Sequence, residues 1–254
     1  MRGITLILFT YLLSTAPGAS AGDLEQAIHA RLALMKDVAH AKWLAGQPIE
    51  DLAREQVVIE QAVVSGLRFR LTPAATTRFF TAQIDAAKAV QRYWFSVWAT
   101  EPPSGPAPDL GAQIRPRLLT LGDQILAELG TQPEVENEAI FVRETQLEGL
   151  PVDYQTELYR SLKSLAYFQS PLDQIRESRI LRVGTTLDYA PFSYLNATGE
   201  RRGFDIELAE LLASELGARI HWVETSWPTL MNDFSEGAFD IGMSGISIIP
   251  ARTE

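Results

Sequence analysis

The stretch Arg31-Leu32-Ala33-Leu34-Met35-Lys36-Asp37-Val38-Ala39-His40-Ala41-Lys42-Trp43 decides the fold of the first half of the chain. Ile28, Leu32, Leu34 and Met35 crowd about Arg31, and Ala39, Ala41 and Trp43 about Lys42, at the spacings of three and four that mark an amphipathic helix. Eleven residues separate the two cations. At about 100° per residue they return to within about 20° of the same side, about 16 Å further along the axis. Both cations therefore edge one apolar stripe, an arrangement that can hold a small dianion. Taken singly, each would pass for an ordinary solvated helix residue.

Working outward, the period predicts one helix over 23–45, a break at Pro48-Ile49-Glu50-Asp51, and a second helix over 50–66 that carries Arg54. Thr72-Pro73, a threonine cap with proline at the first helical position, opens a third helix to about residue 99. The run Glu101-Pro102-Pro103-Ser104-Gly105-Pro106-Ala107-Pro108 reads as a rigid linker, and Asp109 as the cap of a helix reaching about residue 129. Helices over 134–147 and 152–168 complete an all-α region. Gln91 falls one and two turns from Ala87 and Ile84 on the apolar face of the third helix, so its amide is buried and needs partners. Lys88 points elsewhere on that helix and reads as solvated. Arg115 lies early in the fourth helix.

Near residue 175 the class changes. Ile180-Leu181-Arg182-Val183-Gly184-Thr185 reads as a short strand, followed by Phe192-Ser193-Tyr194, a turn at Asn196 to Gly199, a helix over 205–216, a strand over 219–223, a helix over 227–235 and a strand over 239–244. This β-α-β-α-β run predicts three parallel strands, an incomplete sheet.

The first residues carry Arg2, the apolar run Ile4 to Leu13, and then Ala19-Ser20-Ala21. That is the pattern of a secretory signal peptide over 1–21, cleaved after Ala21, and the apolar run falls well short of the roughly 20 residues of a spanning helix. A periplasmic or secreted protein with no membrane attachment after cleavage is expected. The chain has no cysteine, which excludes disulfides, zinc-thiolate sites and thiol nucleophiles. A net charge of −10 argues against nucleic acid as a partner. An anionic ligand must then be held by local cations against the global field. His29, His40 and His221 are scattered, and none pairs with an acid or metal partner in the sequence; no metal site is expected.

Taken in order, Arg31 to Val38, Lys42-Trp43, Gln47-Pro48-Ile49-Glu50-Asp51 and Ala82-Gln83-Ile84-Asp85-Ala86-Ala87-Lys88-Ala89-Val90-Gln91 resemble the exported, all-helical chorismate mutases. The likeness covers roughly 22–129. It implies an all-helical chorismate mutase domain over 22–172 that rearranges chorismate to prephenate without a cofactor, in aromatic amino acid biosynthesis. Carboxylate-binding arginines of the family would fall on Arg31, Arg54 and Arg115, its ether-oxygen donors on Lys42 and Gln91, and Asp51 would stand at the substrate site. Ala87 stands where some members place a hydroxyl, and Val58 where some place an amide. Assembly as a homodimer is compatible with this reading.

Thr185 to Ser193 and Gly203-Phe204-Asp205-Ile206-Glu207-Leu208-Ala209 resemble the first lobe of type 2 periplasmic amino-acid-binding proteins. Thr225-Ser226-Trp227-Pro228-Thr229-Leu230-Met231 and Phe239 to Ser247 look like the cyclohexadienyl dehydratases of that fold. The resemblance implies, over 173–254, the first part of an α/β periplasmic-binding-protein-like domain, with Ser247 and Arg252 taking a ligand carboxylate and Tyr189 and Trp227 lining a cleft. The family's catalytic acid would fall past Glu254, so no dehydratase activity is expected of the polypeptide as written, which reads as part of a longer bifunctional fusion. Two other readings remain: a periplasmic solute-binding protein with a helical N-terminal bundle, and a structural helical adaptor. Stability of chorismate beside the protein separates them from the enzyme.

Overall fold

The computed structural model describes residues 21–135 and 137–247. The signal peptide expected over 1–21 lies outside these apart from its last residue, and Arg252 lies outside them altogether.

The first helix is two. α1 (Ala21–Ala33) and α2 (Met35–Leu44) meet at Leu34, which keeps a right-handed helical backbone (φ −65°, ψ −12°), and the Val38 N–H still reaches the Leu34 carbonyl at 3.0 Å. The single helix predicted over 23–45 is thus corrected by one residue of irregularity. α3 (Leu52–Gly66) is capped by Asp51, whose Oδ1 accepts from the Arg54 N–H at 3.0 Å. A short 3₁₀ turn, Leu67–Phe69, follows it. α4 (Pro73–Trp98) starts at the expected Thr72 cap. Its buried face carries Phe79, Phe80, Ala86, Ala87, Val90 and Trp94, together with the two amides Gln83 and Gln91.

Asp109 caps as expected, accepting from the Gly111 and Ala112 N–H groups. The turn it opens, Leu110–Ile114, is π-helical, and α5 proper is Arg115–Gly130. Two later helices are shorter than the sequence predicts. α6 is Glu138–Glu144, since Asn137 caps its start and buried Gln155 donates to the Val142 carbonyl near its end. α7 is Val152–Lys163, because the chain beyond it is drawn away: Leu71 and Tyr167 form a bridge, and the Tyr167 hydroxyl donates to the Leu129 carbonyl at 2.7 Å. Helices α1 to α7 share one apolar core, with Ile28, Leu32, Phe79, Ile125, Phe141 and Leu158 fully buried.

α8 (Pro171–Ser178) is an element the sequence pattern does not predict, although Ser170 and Pro171 supply a cap and a first helical residue. Beyond it, β1 (Ile180–Thr185) lies between two parallel neighbours. β2 (Asp188–Tyr189), β3 (Ser193–Leu195) and β4 (Arg201–Arg202) form a small antiparallel sheet, α9 (Phe204–Glu215) leads to β5 (Arg219–Glu224), and α10 (Leu230–Ser235) leads to β6 (Ile241–Gly242). The parallel order is β5-β1-β6, with Ile180 opposite Arg219 and Val183 opposite Ile241. β6 and α10 are shorter than predicted. The register is locked by Arg182, a buried residue whose guanidinium and backbone N–H both reach Asp240.

The two parts touch. Leu67, Phe168 and Ile180 pack together, Arg70 in a left-handed backbone conformation (φ 62°) donates to the carbonyls of Phe168 and Gln169, and Arg68 pairs with Glu236. Among the described residues no helix is long and apolar enough to cross a membrane.

Candidate active site

A cavity of about 260 Å³ opens between α1, α2, α3, α4 and α5 with the turn before it. Arg31, Lys42, Asp51, Arg54, Gln91 and Arg115, distant in sequence, all line it. Lys88, Glu55 and Asp123 line it as well. Five cations against three carboxylates leave the wall two positive charges in excess, inside a chain of net charge −10.

The two cations of the opening helix differ in kind. Arg31 is buried (8% exposed). Its Nη1 donates to Gln83 Oε1 at 2.7 Å, its Nε has no partner, and its guanidinium lies 5.8 Å from the Phe80 ring centre. No carboxylate pairs with it among the described residues, and burial alone pushes its pKa down to about 10. Such a cation is held at a cost in solvation and favours any anion that enters. Lys42 is half-buried and donates to the Ile49 carbonyl at 2.6 Å. Burial lowers its pKa, while the charges of Asp51 and Glu55 act to raise it.

Gln91 is buried (5% exposed). Its Nε2 donates to the Ala87 carbonyl at 3.2 Å and approaches Met35 Sδ at 3.7 Å, while its Oε1 is unpartnered. Arg54 and Arg115 are exposed at the rim, in the first turns of α3 and α5, where the helix amino ends add a favourable field for an anion. The Asp51 carboxylate is engaged as the cap of α3.

Lys88 departs from its solvated expectation. Its side chain is 13% exposed and pairs with Glu55 at 3.0 Å and with Asp85 at 3.1 Å. Burial lowers its pKa, and the hydrogen bonds it donates to Glu55 and Asp85 outweigh that and raise it. Gln83 is a residue that sequence reasoning misses, yet it is fully buried and is the partner of Arg31. The signal that marks Gln91, an amide on an apolar helical face, is equally present two turns earlier at Gln83.

Chemically the wall offers guanidinium forks for carboxylates, plus an ammonium and an amide as single donors. It places no nucleophile beside a base and needs none for binding and orienting an anion.

In the second part, the Tyr189 and Trp227 rings meet edge to face at 5.9 Å, and the indole N–H of Trp227 donates to Asp188 at 3.0 Å. Ser244 joins the hydroxyls of buried Thr185 and Ser193 and of half-buried Thr186 in one cluster where the ends of β1 and β6 meet the start of β3. Ser247 is exposed, just beyond.

Residues 22–92 match the family described as chorismate mutase type II, and residues 181–254 match bacterial extracellular solute-binding proteins, family 3. The secreted chorismate mutase of Yersinia pestis is 34% identical over 134 residues, 51% of this chain and 72% of that protein. A crystal structure of secreted chorismate mutase from Yersinia pestis superposes with a TM-score of 0.55 at 26% identity, over 58% of this chain and 99% of that one. The cyclohexadienyl dehydratase of Pseudomonas aeruginosa is 55% identical over 85 residues, 34% of this chain, and the chain spans 32% of that dehydratase's length. Helical fold, cationic cavity and a relative covered over most of its length agree: the chain belongs to the type II chorismate mutases of the secreted kind, joined to a segment related to the cyclohexadienyl dehydratases of the solute-binding fold.

Proposed function

We propose that the helical region, over 22–172, rearranges chorismate to prephenate. The ether C–O bond breaks as a C–C bond forms within one molecule, with no proton or electron gained or lost. Arg31 and Arg115, with Arg54 at the rim, hold the two carboxylates and keep the substrate in its reactive folded shape, which is catalysis by orientation. Lys42 Nζ and the Gln91 amide direct donors at the ether oxygen, where negative charge grows as the bond lengthens. Asp51 serves at one remove, capping α3 so that Arg54 faces the cavity and helping to keep Lys42 charged.

One observation carries this reading: Arg31 is a buried guanidinium with no carboxylate partner among the described residues, on the wall of a cavity that also holds Lys42 and Gln91. A spacer bundle would gain stability by replacing it. The related chorismate mutases of Yersinia pestis and Mycolicibacterium smegmatis are secreted, and we extend secretion to this chain, which would act in the periplasm or outside the cell. Prephenate would then reach a second module whose ligand contacts we assign to Tyr189, Trp227, Ser247 and Arg252.

The test is loss of chorismate absorbance with the purified protein, with prephenate identified by NMR. Turnover above the spontaneous rate is expected. Chorismate that binds yet stays intact favours a receptor.

A further inference from the structure

We infer that Gln83 is a positioning residue that fixes Arg31 through a neutral acceptor and thereby leaves the guanidinium charge uncompensated for an anionic substrate. The inference rests on the proposal that the cavity takes chorismate. Gln83 is fully buried on the inner face of α4, and its side chain is not part of the cavity wall. It therefore acts through Arg31, which does line the wall and to which its Oε1 is bonded at 2.7 Å.

The pairing is poor as a stabilising device. Arg31 Nε and Gln83 Nε2 are both buried donors without an acceptor, and unsatisfied buried donors are costly. A glutamate of nearly the same shape would offer two acceptors to the inner edge of the guanidinium, satisfying Nη1 and Nε together in the bidentate way that arginine favours. It would also neutralise the only deeply buried cation among the described residues of the wall. The amide does half of this: it sets the direction of the guanidinium and withholds the counter-charge. Arg31 remains a cation that is desolvated and unpaired, the state in which an entering carboxylate gains most.

Two variants separate charge from tethering. In Gln83→Glu the guanidinium is held but neutralised, so KM for chorismate should rise about tenfold or more while kcat falls less, as for the loss of one charged hydrogen bond. The melting temperature should hold or rise. In Gln83→Met the tether is lost and the charge kept, so kcat should fall about tenfold with a smaller change in KM. A residue that served packing alone would lower the melting temperature in both and would not split KM from kcat in opposite senses. Wild-type KM in a folded Gln83→Glu protein overturns the inference; should that variant not fold, wild-type kcat and KM in Gln83→Met do so. If the wild type leaves chorismate unrearranged, the activity reading fails on its own, and calorimetric binding of chorismate then decides this inference: Gln83→Glu must bind about tenfold more weakly than wild type, and equal binding overturns it.

Discussion

The Lys42 ammonium donates to the Ile49 carbonyl at 2.6 Å, so the break that turns α2 into α3 also holds the proposed donor at the cavity wall. The bond positions Nζ in advance, and the other ammonium hydrogens remain for a ligand. Lys42→Ala should lower kcat by about 10²–10³-fold, the scale of about 3 to 4 kcal/mol seen when one preorganised donor to a developing oxyanion is deleted. Melting temperature should change little, since the side chain is half-exposed. Near-normal turnover of chorismate by this variant would remove Lys42 from the mechanism.

Activity should fall on the alkaline side. Burial draws Lys42 below its ordinary 10.5, against the raising influence of Asp51 and Glu55, and Arg31 is pushed down to about 10. Both groups act as cations, so the rate is full below their folded-state pKa values and is lost as pH rises through them. Lys42→Arg removes one of these titrations and should make the fall in kcat/KM less steep, the Arg31 titration remaining. A pH–rate profile whose alkaline limb is the same in wild type and variant contradicts the role of Lys42.

Arg31 should be a site where function is held at the expense of stability. Its folded-state pKa, about 10, lies well below the ordinary arginine value, so the folded chain binds this proton less tightly than the unfolded chain. The penalty is complete below about pH 10 and is relieved as pH climbs from there toward the ordinary arginine value. The double variant Arg31→Met, Gln83→Leu, which removes the charge together with the amide it would leave unpaired, should abolish turnover and stabilise the fold by about 1 to 3 kcal/mol, as for replacement of a buried polar pair by apolar packing. Urea denaturation at neutral pH measures it, and a clear loss of stability would show that the cation is satisfied after all.

Much of the candidate site is legible in the sequence for a physical reason. Arg31, Lys42 and Gln91 stand out because polar groups on an apolar stripe break the helical pattern, and a broken pattern is visible in one dimension. Arg115 and Arg54 come from resemblance, since an exposed arginine near a helix start has no signature of its own. Gln83 carries the same signature as Gln91, but its importance lies in a bond to Arg31 from another helix. Lys88 reads wrongly as solvated because its burial depends on Glu55, again from another helix. Helix ends are the least legible: α7 stops at Lys163 because Tyr167 is claimed by Leu71 and Leu129, and no local residue announces that. α8 has its cap and proline, yet its eight residues bury only Gln174 and Ile175, too few for a period to show.

The Lys88–Glu55 pair at 3.0 Å should matter for binding more than for folding. Removing the ammonium in Lys88→Met leaves Glu55 as an uncompensated carboxylate on the wall of a site proposed for a dianion. KM should rise by about three- to tenfold, on the scale of about 1 kcal/mol for a partly solvated like-charge contact, with kcat near wild type. The double variant Lys88→Met, Glu55→Gln should recover most of the loss. Failure of the double variant to recover would mean that Lys88 meets the substrate directly.

The junction between the two parts offers a contrast between apolar and ionic contact. Phe168 is 3% exposed and packs on Leu67 and Ile180, and its carbonyl accepts from the Arg70 guanidinium. Leu67 in turn continues directly from α3, whose inner face lines the cavity. The Arg68–Glu236 pair spans the same junction with side chains 40% and 51% exposed. Phe168→Ala should cost about 3 to 5 kcal/mol, the range for emptying a buried phenylalanine site. Arg68→Ala should cost under about 1 kcal/mol, because an exposed pair is screened and must order two long side chains. Differential scanning calorimetry of the whole chain compares them, and Phe168→Ala should also blunt chorismate turnover through the displaced end of α3. If Arg68→Ala proves the more damaging of the two, the junction is held by charge and not by the packing of Phe168 on Leu67 and Ile180.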